Sequence, residues 1–195
     1  ASDVYKRQAE DTTVEVTGLH SAGVPASIDN LAWRAVELVA QRLMVPATGA
    51  LTMEKNIPAA GGMAGGSADA AAALLLANHA LSTEFGREPV TEEMLFELAA
   101  ELGSDVPFTL MGGTALGRGR GELLTPMLAR GRYIWAIITN SEGLSTPTVF
   151  HKLDELRAAG RGSAPHLDTE AVGQALVSGN PRELAAAVHL SLIHI

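Results

Sequence analysis

The sequence Pro58-Ala-Ala-Gly-Gly-Met-Ala-Gly-Gly-Ser-Ala-Asp69 decides the fold of this chain. It lies between a strand-like segment, Leu51–Ile57, and an alanine- and leucine-rich run, Ala70–His79, that predicts a helix. Glycines let the main chain approach phosphate oxygens closely, and the first N–H groups of a helix carry the positive end of its dipole. This order of strand, glycine loop and helix predicts an anion-binding loop.

The glycine loop differs from the two most common phosphate loops. The chain contains no Gly-Lys pair, which excludes a Walker A loop, and it lacks the Gly-x-Gly-x-x-Gly spacing of a dinucleotide fold. The Gly-x-x-x-Gly spacing of Gly61 and Gly65 is also typical of membrane helices, but the apolar run Ala70–Ala77 has 8 residues, far below the roughly 20 that span a bilayer. A tightly packed helix start without any ligand remains an alternative.

Composition limits the class of protein. The net charge of −8 disfavours a nucleic-acid partner, and the absence of cysteine excludes disulfides and thiolate metal sites. Hydrophobic residues make up 47% of the chain and aromatic residues only 4%, so the core must be aliphatic. The histidines show no metal-ligand spacing, and no signal-peptide pattern is present. We expect a cytoplasmic protein without a metal site of its own and without a membrane partner.

Hydrophobic periodicity and capping residues predict the other elements. A domain boundary is expected between Pro126 and Arg132. The predicted elements are a strand over Thr12–Thr17, a helix over Asp29–Leu43 capped by Asp29 or Ser27, a helix over Glu92–Leu102 capped by Thr91, a buried strand over Tyr133–Thr139, and helices over Pro147–Ala159, Thr169–Ser178 and Pro181–Leu190.

Four motifs together resemble the GHMP kinases, a superfamily of small-molecule kinases. They are the glycine loop, Asp29–Ala35 (Asp-Asn-Leu-Ala-Trp-Arg-Ala), Leu102–Phe108 (Leu-Gly-Ser-Asp-Val-Pro-Phe) and the glycine-rich Gly112–Glu122. The resemblance extends from about Val14 to Leu190 with the order and spacing of the motifs kept. The Gly-Ser-Asp-Val-Pro-Phe string narrows it to the members that act on a cytidine diphosphate-linked methylerythritol.

The resemblance implies an α+β fold of two domains. Residues 1–129 would form the N-terminal ATP-binding domain, built on a mixed sheet and truncated at its start, and residues 130–195 would form part of the C-terminal domain. The N-terminal strand that carries the family's catalytic lysine and the third, C-terminal glycine-rich motif are not found in this sequence. The chain is therefore expected to be an internal part of a longer kinase.

The resemblance also implies a reaction: transfer of the γ-phosphate of ATP, with Mg²⁺, to the 2-hydroxyl of a cytidine diphosphate-linked methylerythritol in the non-mevalonate isoprenoid pathway. The partner is then a small-molecule substrate, and the protein is expected to be a monomer or a weak homodimer. Two alternatives remain open. The chain is another GHMP kinase, such as a homoserine kinase, or it binds a nucleotide without catalysing phosphate transfer.

Asp105 is the candidate catalytic base. An aspartate before Val-Pro is more often a helix cap, but the resemblance implies that this one accepts the proton of the substrate hydroxyl. Thr146 and Phe150 match positions that contact the cytidine of the substrate, although Phe150 would also suit inward packing.

The candidate ATP-binding residues comprise the loop and three residues outside it. From the residues alone, Ser67 suits either a phosphate or magnesium contact or a plain helix cap, and Lys55 suits a solvated charge as well as a pocket. The resemblance places Lys55, Asn30 and Leu31 in the adenine pocket. The full set is Pro58, Ala59, Ala60, Gly61, Gly62, Met63, Ala64, Gly65, Gly66, Ser67, Ala68, Asn30, Leu31 and Lys55.

Overall fold

The computed structural model describes residues 3–7, 12–59, 61–138, 145–161 and 168–188. The chain divides into two compact units, Ala1–Thr125 and Pro126–Ile195. The helices and strands are β1 (Asp3–Arg7), β2 (Thr13–Thr17), α1 (Leu31–Leu43), β3 (Ala50–Glu54), α2 (Gly65–Phe85), α3 (Glu92–Leu102), α4 (Val106–Met111), β4 (Ala115–Arg118), β5 (Leu123–Pro126), α5 (Thr146–Ala158), α6 (Glu170–Ser178) and α7 (Pro181–Ala187).

A three-stranded mixed sheet with the order β1-β3-β2 forms one part of the first unit. Strand β2 runs parallel to β3, and β1 runs antiparallel to it. The alternating side chains of β3 bury Leu51 and Met53 on one face, and Val14 and Val16 of β2 are both half-buried, as their spacing predicts. The mixed sheet and the helices confirm the α+β class.

Helices α1 and α2 pack against each other and form the centre of the core. Small side chains dominate this core, which lets the helices approach closely and confirms that its filling is mainly aliphatic. The exception is Trp33, which is 1% exposed and donates a hydrogen bond from Nε1 to Glu37 Oε1 over 3.0 Å. The buried alanines on the two helices are Ala32, Ala35, Ala40, Ala70, Ala71, Ala73 and Ala77.

The start of α1 differs from the prediction. Asn30, rather than Asp29 or Ser27, caps the helix, with its Oδ1 accepting a hydrogen bond from the Ala32 N–H over 2.9 Å. Ser27 and Asp29 form a turn of their own, in which the Ser27 hydroxyl accepts from the Asp29 N–H. All three residue types suit a cap, so the choice depends on the path of the preceding loop.

Helix α2 is longer than the alanine run predicts at both ends. It begins at Gly65 inside the glycine loop and continues to Phe85, where Gly86 ends it in the left-handed conformation. Glycine disfavours a helix interior, but Gly65 and Gly66 occupy the first turn, where Gly65 packs closely against Ile57 after β3. Helix α3 begins and ends as predicted, with Thr91 as its cap and Gly103 at its end.

The connection between α2 and α3 is attached to α2 by one side chain. Asn78 is buried and makes two hydrogen bonds to the main chain of Val90: its Oδ1 accepts from the N–H over 2.8 Å, and its Nδ2 donates to the carbonyl over 2.9 Å. Both main-chain polar groups of the buried Val90 are thereby satisfied.

The second unit contains α5, α6 and α7, with Ala175, Leu176 and Leu184 forming a small core between α6 and α7. Residues 132–138 are irregular, and Ile134 is fully exposed, so the predicted buried strand is wrong over this range; residue 139 lies outside the described residues. A β-favouring run becomes a strand only when another strand pairs with it, and the described residues of this unit offer none. The predicted helices after it are confirmed as α5, α6 and α7, but α7 ends at Ala187 and Val188 is extended, so the predicted end is too late. Residues 189 and 190 lie outside the described residues.

We expect the substitution Asn78→Ala to lower the free energy of unfolding by about 2–4 kcal/mol, because it leaves both main-chain groups of Val90 buried without partners. Urea unfolding followed by circular dichroism measures the change. The control Gln41→Ala removes an exposed amide and should stay within about 0.5 kcal/mol of the parent. Equal stability of the two variants would contradict the role of Asn78.

Candidate functional site

The glycine loop forms the entrance to α2. Ala64 precedes the helix in the left-handed conformation, with a φ of 51°, and Gly62 has a φ of 68°. Gly61, Gly62 and Met63 are exposed, whereas Gly65 is buried. Because the first N–H groups of a helix have no acceptor one turn earlier, those of Gly65, Gly66 and Ser67 face the loop rather than a carbonyl of α2. Ala60 lies outside the described residues.

A pocket of about 220 Å³ lies beside this loop. It brings together Ala59 and Gly66 of the loop with Asn30, Leu31 and Lys55, which are the three predicted residues from outside the loop. Gly23, Val24, Pro25 and Asp69 complete its lining. A side-chain carbon at Gly66 would meet nothing within 4 Å, so the glycine keeps the first turn of α2 open. An open glycine cradle next to a concave pocket fits the phosphate and base ends of a nucleotide.

Lys55 is buried, and its interpretation as a solvated charge is wrong. It directly follows β3, and the period of two places it on the same face as Leu51 and Met53. The residue is 2% exposed, and its ammonium forms an ion pair with the carboxylate of Asp69. Its main chain is also held, since its N–H donates to Thr17 over 2.7 Å and its carbonyl accepts from the His20 N–H over 3.1 Å.

Asn30 lines the pocket while serving the local structure. Besides capping α1, its Nδ2 donates a hydrogen bond to the Pro25 carbonyl over 2.6 Å. Its carboxamide therefore fixes the loop that forms one wall of the pocket. Leu31 is half-buried next to it.

Asp105 occupies the residue before α4, as the sequence predicts. It is exposed, and its carboxylate makes no capping hydrogen bond to the helix. Helix α4 packs against α2, and Thr109, one turn after Asp105, has its Oγ1 3.0 Å from the carbonyl oxygen of Ser67. The same Oγ1 lies 2.9 Å from the Val106 carbonyl within α4, so its single proton is shared between a contact inside α4 and one to the first turn of α2.

Ser67 is not a helix cap. It is the third residue of α2, whereas the cap position is taken by Ala64, whose side chain cannot accept a hydrogen bond. The explanation of Ser67 as a plain cap is therefore wrong, because the helix starts earlier than the alanine run suggests. Its hydroxyl lies in the first turn of the helix, beside the open N–H groups.

Arg118 and Arg120 are exposed on β4 and in the turn that follows it. Arg120 contacts Glu122, which accepts a hydrogen bond from the Arg120 N–H over 2.6 Å. The backbone N–H of Glu122 itself, and then the hydrogen bond and charge of Arg120, hold the pKa of the Glu122 carboxyl below its usual range. Strands β4 and β5 form a two-stranded sheet, and the two arginines belong to this part of the chain rather than to the pocket lining.

The candidate substrate residues lie in the second unit. Thr146 begins α5, and Phe150 follows one helical turn later with 49% of its surface exposed. Such exposure does not fit the alternative in which Phe150 packs fully inward. The side chain of Thr146 lies outside the described residues.

Asp69 is the charged residue of the pocket lining that the sequence analysis missed, together with Gly23, Val24 and Pro25. It lies in the alanine run of α2, on the same helical stripe as the buried Ala73 and Ala77. A charged residue on a buried stripe requires a partner of opposite charge, and Lys55 on the buried face of β3 meets that requirement. The helical spacing of buried residues in α2 and the alternation of buried residues along β3 could together have indicated the Lys55–Asp69 ion pair.

Within the described ranges, no helix is long and apolar enough to cross a membrane. The same residues contain no group of three or more histidine, cysteine, aspartate or glutamate side chains suited to hold a metal ion.

Comparison with known protein families shows which class of protein this chain resembles. Residues 30–113 match the family described as GHMP kinases N terminal domain. This range contains the glycine loop and Asp105, and it contains every pocket-lining residue except Gly23, Val24 and Pro25. Residues 30–113 form a GHMP kinase N-terminal domain.

Individual similar proteins point to one kind of kinase within the family. The chain is 45% identical to the 4-diphosphocytidyl-2-C-methyl-D-erythritol kinase of Corynebacterium diphtheriae over 98% of its own length and 61% of that enzyme. A crystal structure of 4-(cytidine 5'-diphospho)-2C-methyl-D-erythritol kinase resembles it with a TM-score of 0.59 and 29% identity, over 98% of this chain and 61% of the other. The chain thus spans about three fifths of these relatives.

A homoserine kinase from Cytophaga hutchinsonii has a similar fold, with a TM-score of 0.57 over 94% of this chain and 60% of the other. At 11% identity this likeness concerns the fold alone. Homologues at high identity carry the name of the diphosphocytidyl-methylerythritol kinase, and they support that assignment over the homoserine kinase alternative.

We expect Gly65→Ala to lower the free energy of unfolding by about 1–3 kcal/mol, because the added methyl group would lie 2.9 Å from Ile57 Cγ2. Gly66→Ala is the matched control. It adds the same methyl group in open space and should stabilise the helix by about 0.5–1 kcal/mol. Urea unfolding of both variants measures the difference, and the same sign of change in both would contradict the packing described for Gly65.

The second variant pair concerns Thr109. We expect Thr109→Val to lower the free energy of unfolding by about 1 kcal/mol, because it removes the hydroxyl that contacts the Ser67 carbonyl while keeping the shape of the side chain. Thr109→Ser keeps the hydroxyl and should lose less. Thermal unfolding measures both, and a greater loss in Thr109→Ser would show that the methyl group rather than the hydroxyl joins α4 to α2.

Proposed function

We propose that this chain is the nucleotide-binding part of a kinase that transfers the γ-phosphate of ATP to the 2-hydroxyl of 4-diphosphocytidyl-2-C-methyl-D-erythritol, a step of non-mevalonate isoprenoid synthesis. The observation that carries the proposal is the convergence of the glycine loop with Asn30, Leu31 and Lys55 around one pocket. The names of the relatives support the substrate.

In this proposal the phosphates of ATP lie against the first turn of α2. The open N–H groups of Gly65, Gly66 and Ser67 and the positive end of the helix dipole favour negative charge there. The base lies toward Asn30 and Leu31 in the pocket. Mg²⁺ enters with the phosphates, and Ser67 is its candidate protein contact. When bound, ATP supplies the phosphoryl group, and the chain supplies binding and orientation.

Asp105 is proposed to orient the 2-hydroxyl of the substrate and to accept its proton. Its carboxylate is exposed and does not cap α4, so it is free to contact a ligand. The contact of Thr109 with Ser67 helps to hold α4, the helix that follows Asp105, against the start of α2. A carboxylate base suits phosphoryl transfer, in which the proton is lost late.

Thr146 and Phe150 are proposed to contact the cytidine of the substrate. The half-exposed ring of Phe150 offers a face on which a pyrimidine can stack. The net charge of −8 supports a small-molecule partner rather than a nucleic acid, and we propose a cytoplasmic monomer or weak homodimer.

The test is a coupled ADP-release assay on the complete gene product with three substrates: the diphosphocytidyl-methylerythritol, homoserine and mevalonate. We expect turnover with the cytidine substrate alone. We expect Asp105→Asn to lower kcat by about 10²–10⁴-fold, because the amide cannot accept the proton. Glu101→Gln, which neutralises an exposed carboxylate at the end of α3, should leave kcat unchanged.

The other outcomes distinguish the alternatives. Turnover with homoserine or mevalonate would keep the nucleotide site but reject the cytidine substrate. ATP binding without turnover on any of the three would identify a nucleotide-binding protein without catalysis. Full activity of Asp105→Asn would reject the proposed base.

A further inference from the structure

The buried ion pair between Lys55 and Asp69 forms part of the pocket wall. Their side chains are only 3% and 5% exposed, and both residues line the pocket. A buried ion pair contributes little net stability, because the cost of desolvating two charges offsets their attraction. Stability alone therefore does not explain why this pair lies in the wall of a ligand pocket.

The position of the Lys55 ammonium is electrostatically unfavourable by itself. Its Nζ lies 3.4 Å from where a side-chain carbon of Gly65 would be, next to the first turn of α2. A cation at this end of a helix opposes the dipole, and an unpaired buried cation carries a further desolvation cost. The carboxylate of Asp69, in the second turn of the same helix, neutralises the charge and holds Nζ in place.

Asp69 uses only one of its two oxygens for this purpose. Its Oδ2 contacts Lys55 Nζ, whereas Oδ1 is buried and has no hydrogen-bond partner among the described residues. A carboxylate oxygen accepts hydrogen bonds, and buried polar atoms in proteins are almost always satisfied. Because Asp69 lines the pocket, a ligand held there is a candidate source of the missing donor.

We propose that Asp69 is a positioning residue of the nucleotide site, an inference that rests on the proposed function. One oxygen fixes the Lys55 ammonium against the first turn of α2, and the other accepts a hydrogen bond from an N–H or O–H group of the bound nucleotide. Asp69 therefore has one role in the free protein and a second role when a nucleotide occupies the pocket. In the free protein it neutralises Lys55, and in the complex it also orients the ligand.

The experiment separates positioning from stability with the double variant Lys55→Met/Asp69→Leu. Replacing both charges by apolar side chains of similar size is often neutral for folding, whereas removing one charge leaves the other buried alone. We measure thermal unfolding without ligand, and we measure the affinity for a non-hydrolysable ATP analogue by calorimetry on the full chain. Asp154→Asn, an exposed neutralisation on α5, is the control.

We expect each single variant to unfold at a lower temperature and the double variant to regain most of that loss. The double variant should still bind the analogue at least about tenfold more weakly than the parent, since charged hydrogen bonds contribute about this much. The isosteric variant Asp69→Asn should show the same loss of affinity, which keeps the test decisive if the double variant does not fold.

Parent-like affinity in the double variant or in Asp69→Asn would overturn the inference and leave the proposed function intact. No binding of the analogue by the parent chain would overturn the proposed function itself, and the inference with it.

Discussion

The contact between the first turn of α2 and the segment that follows β3 is the constraint on which the candidate site depends. Gly65 lies so close to Ile57 and Lys55 that no larger residue fits without displacement. This contact fixes where the helix begins and therefore where its open N–H groups point. It also places the ammonium of Lys55 beneath the helix, which in turn requires the carboxylate of Asp69.

Other side chains hold the remaining elements of the candidate site close to the first turn of α2. Asn30 fixes the start of α1 and the Pro25 loop, which closes one wall of the pocket. Thr109 attaches α4, and with it Asp105, to the first turn of α2. The small side chains between α1 and α2 allow these starting points to lie close together. The site is thus assembled from helix ends that a shared core holds in position.

Features that depend on local sequence were predictable. The glycine loop, the Thr91 cap and the helices of the second unit follow from residue type and spacing within a few positions. Features that depend on partners distant in the sequence were not predictable. The burial of Lys55 requires Asp69, 14 positions away, and a strand around Ile134 requires a neighbouring strand. Choosing Asn30 over Asp29 as the cap required the path of the Pro25 loop.

The pairing of Asn78 with Val90 has a consequence for how this chain can vary. The carboxamide offers the same donor and acceptor as a peptide group, so it recognises the main chain of Val90 and not its side chain. The residues between Gly86 and Pro89 are exposed and contribute nothing to this recognition. The connection between α2 and α3 is therefore free to change its side chains while its anchor, a single amide in the core, keeps the path of the backbone.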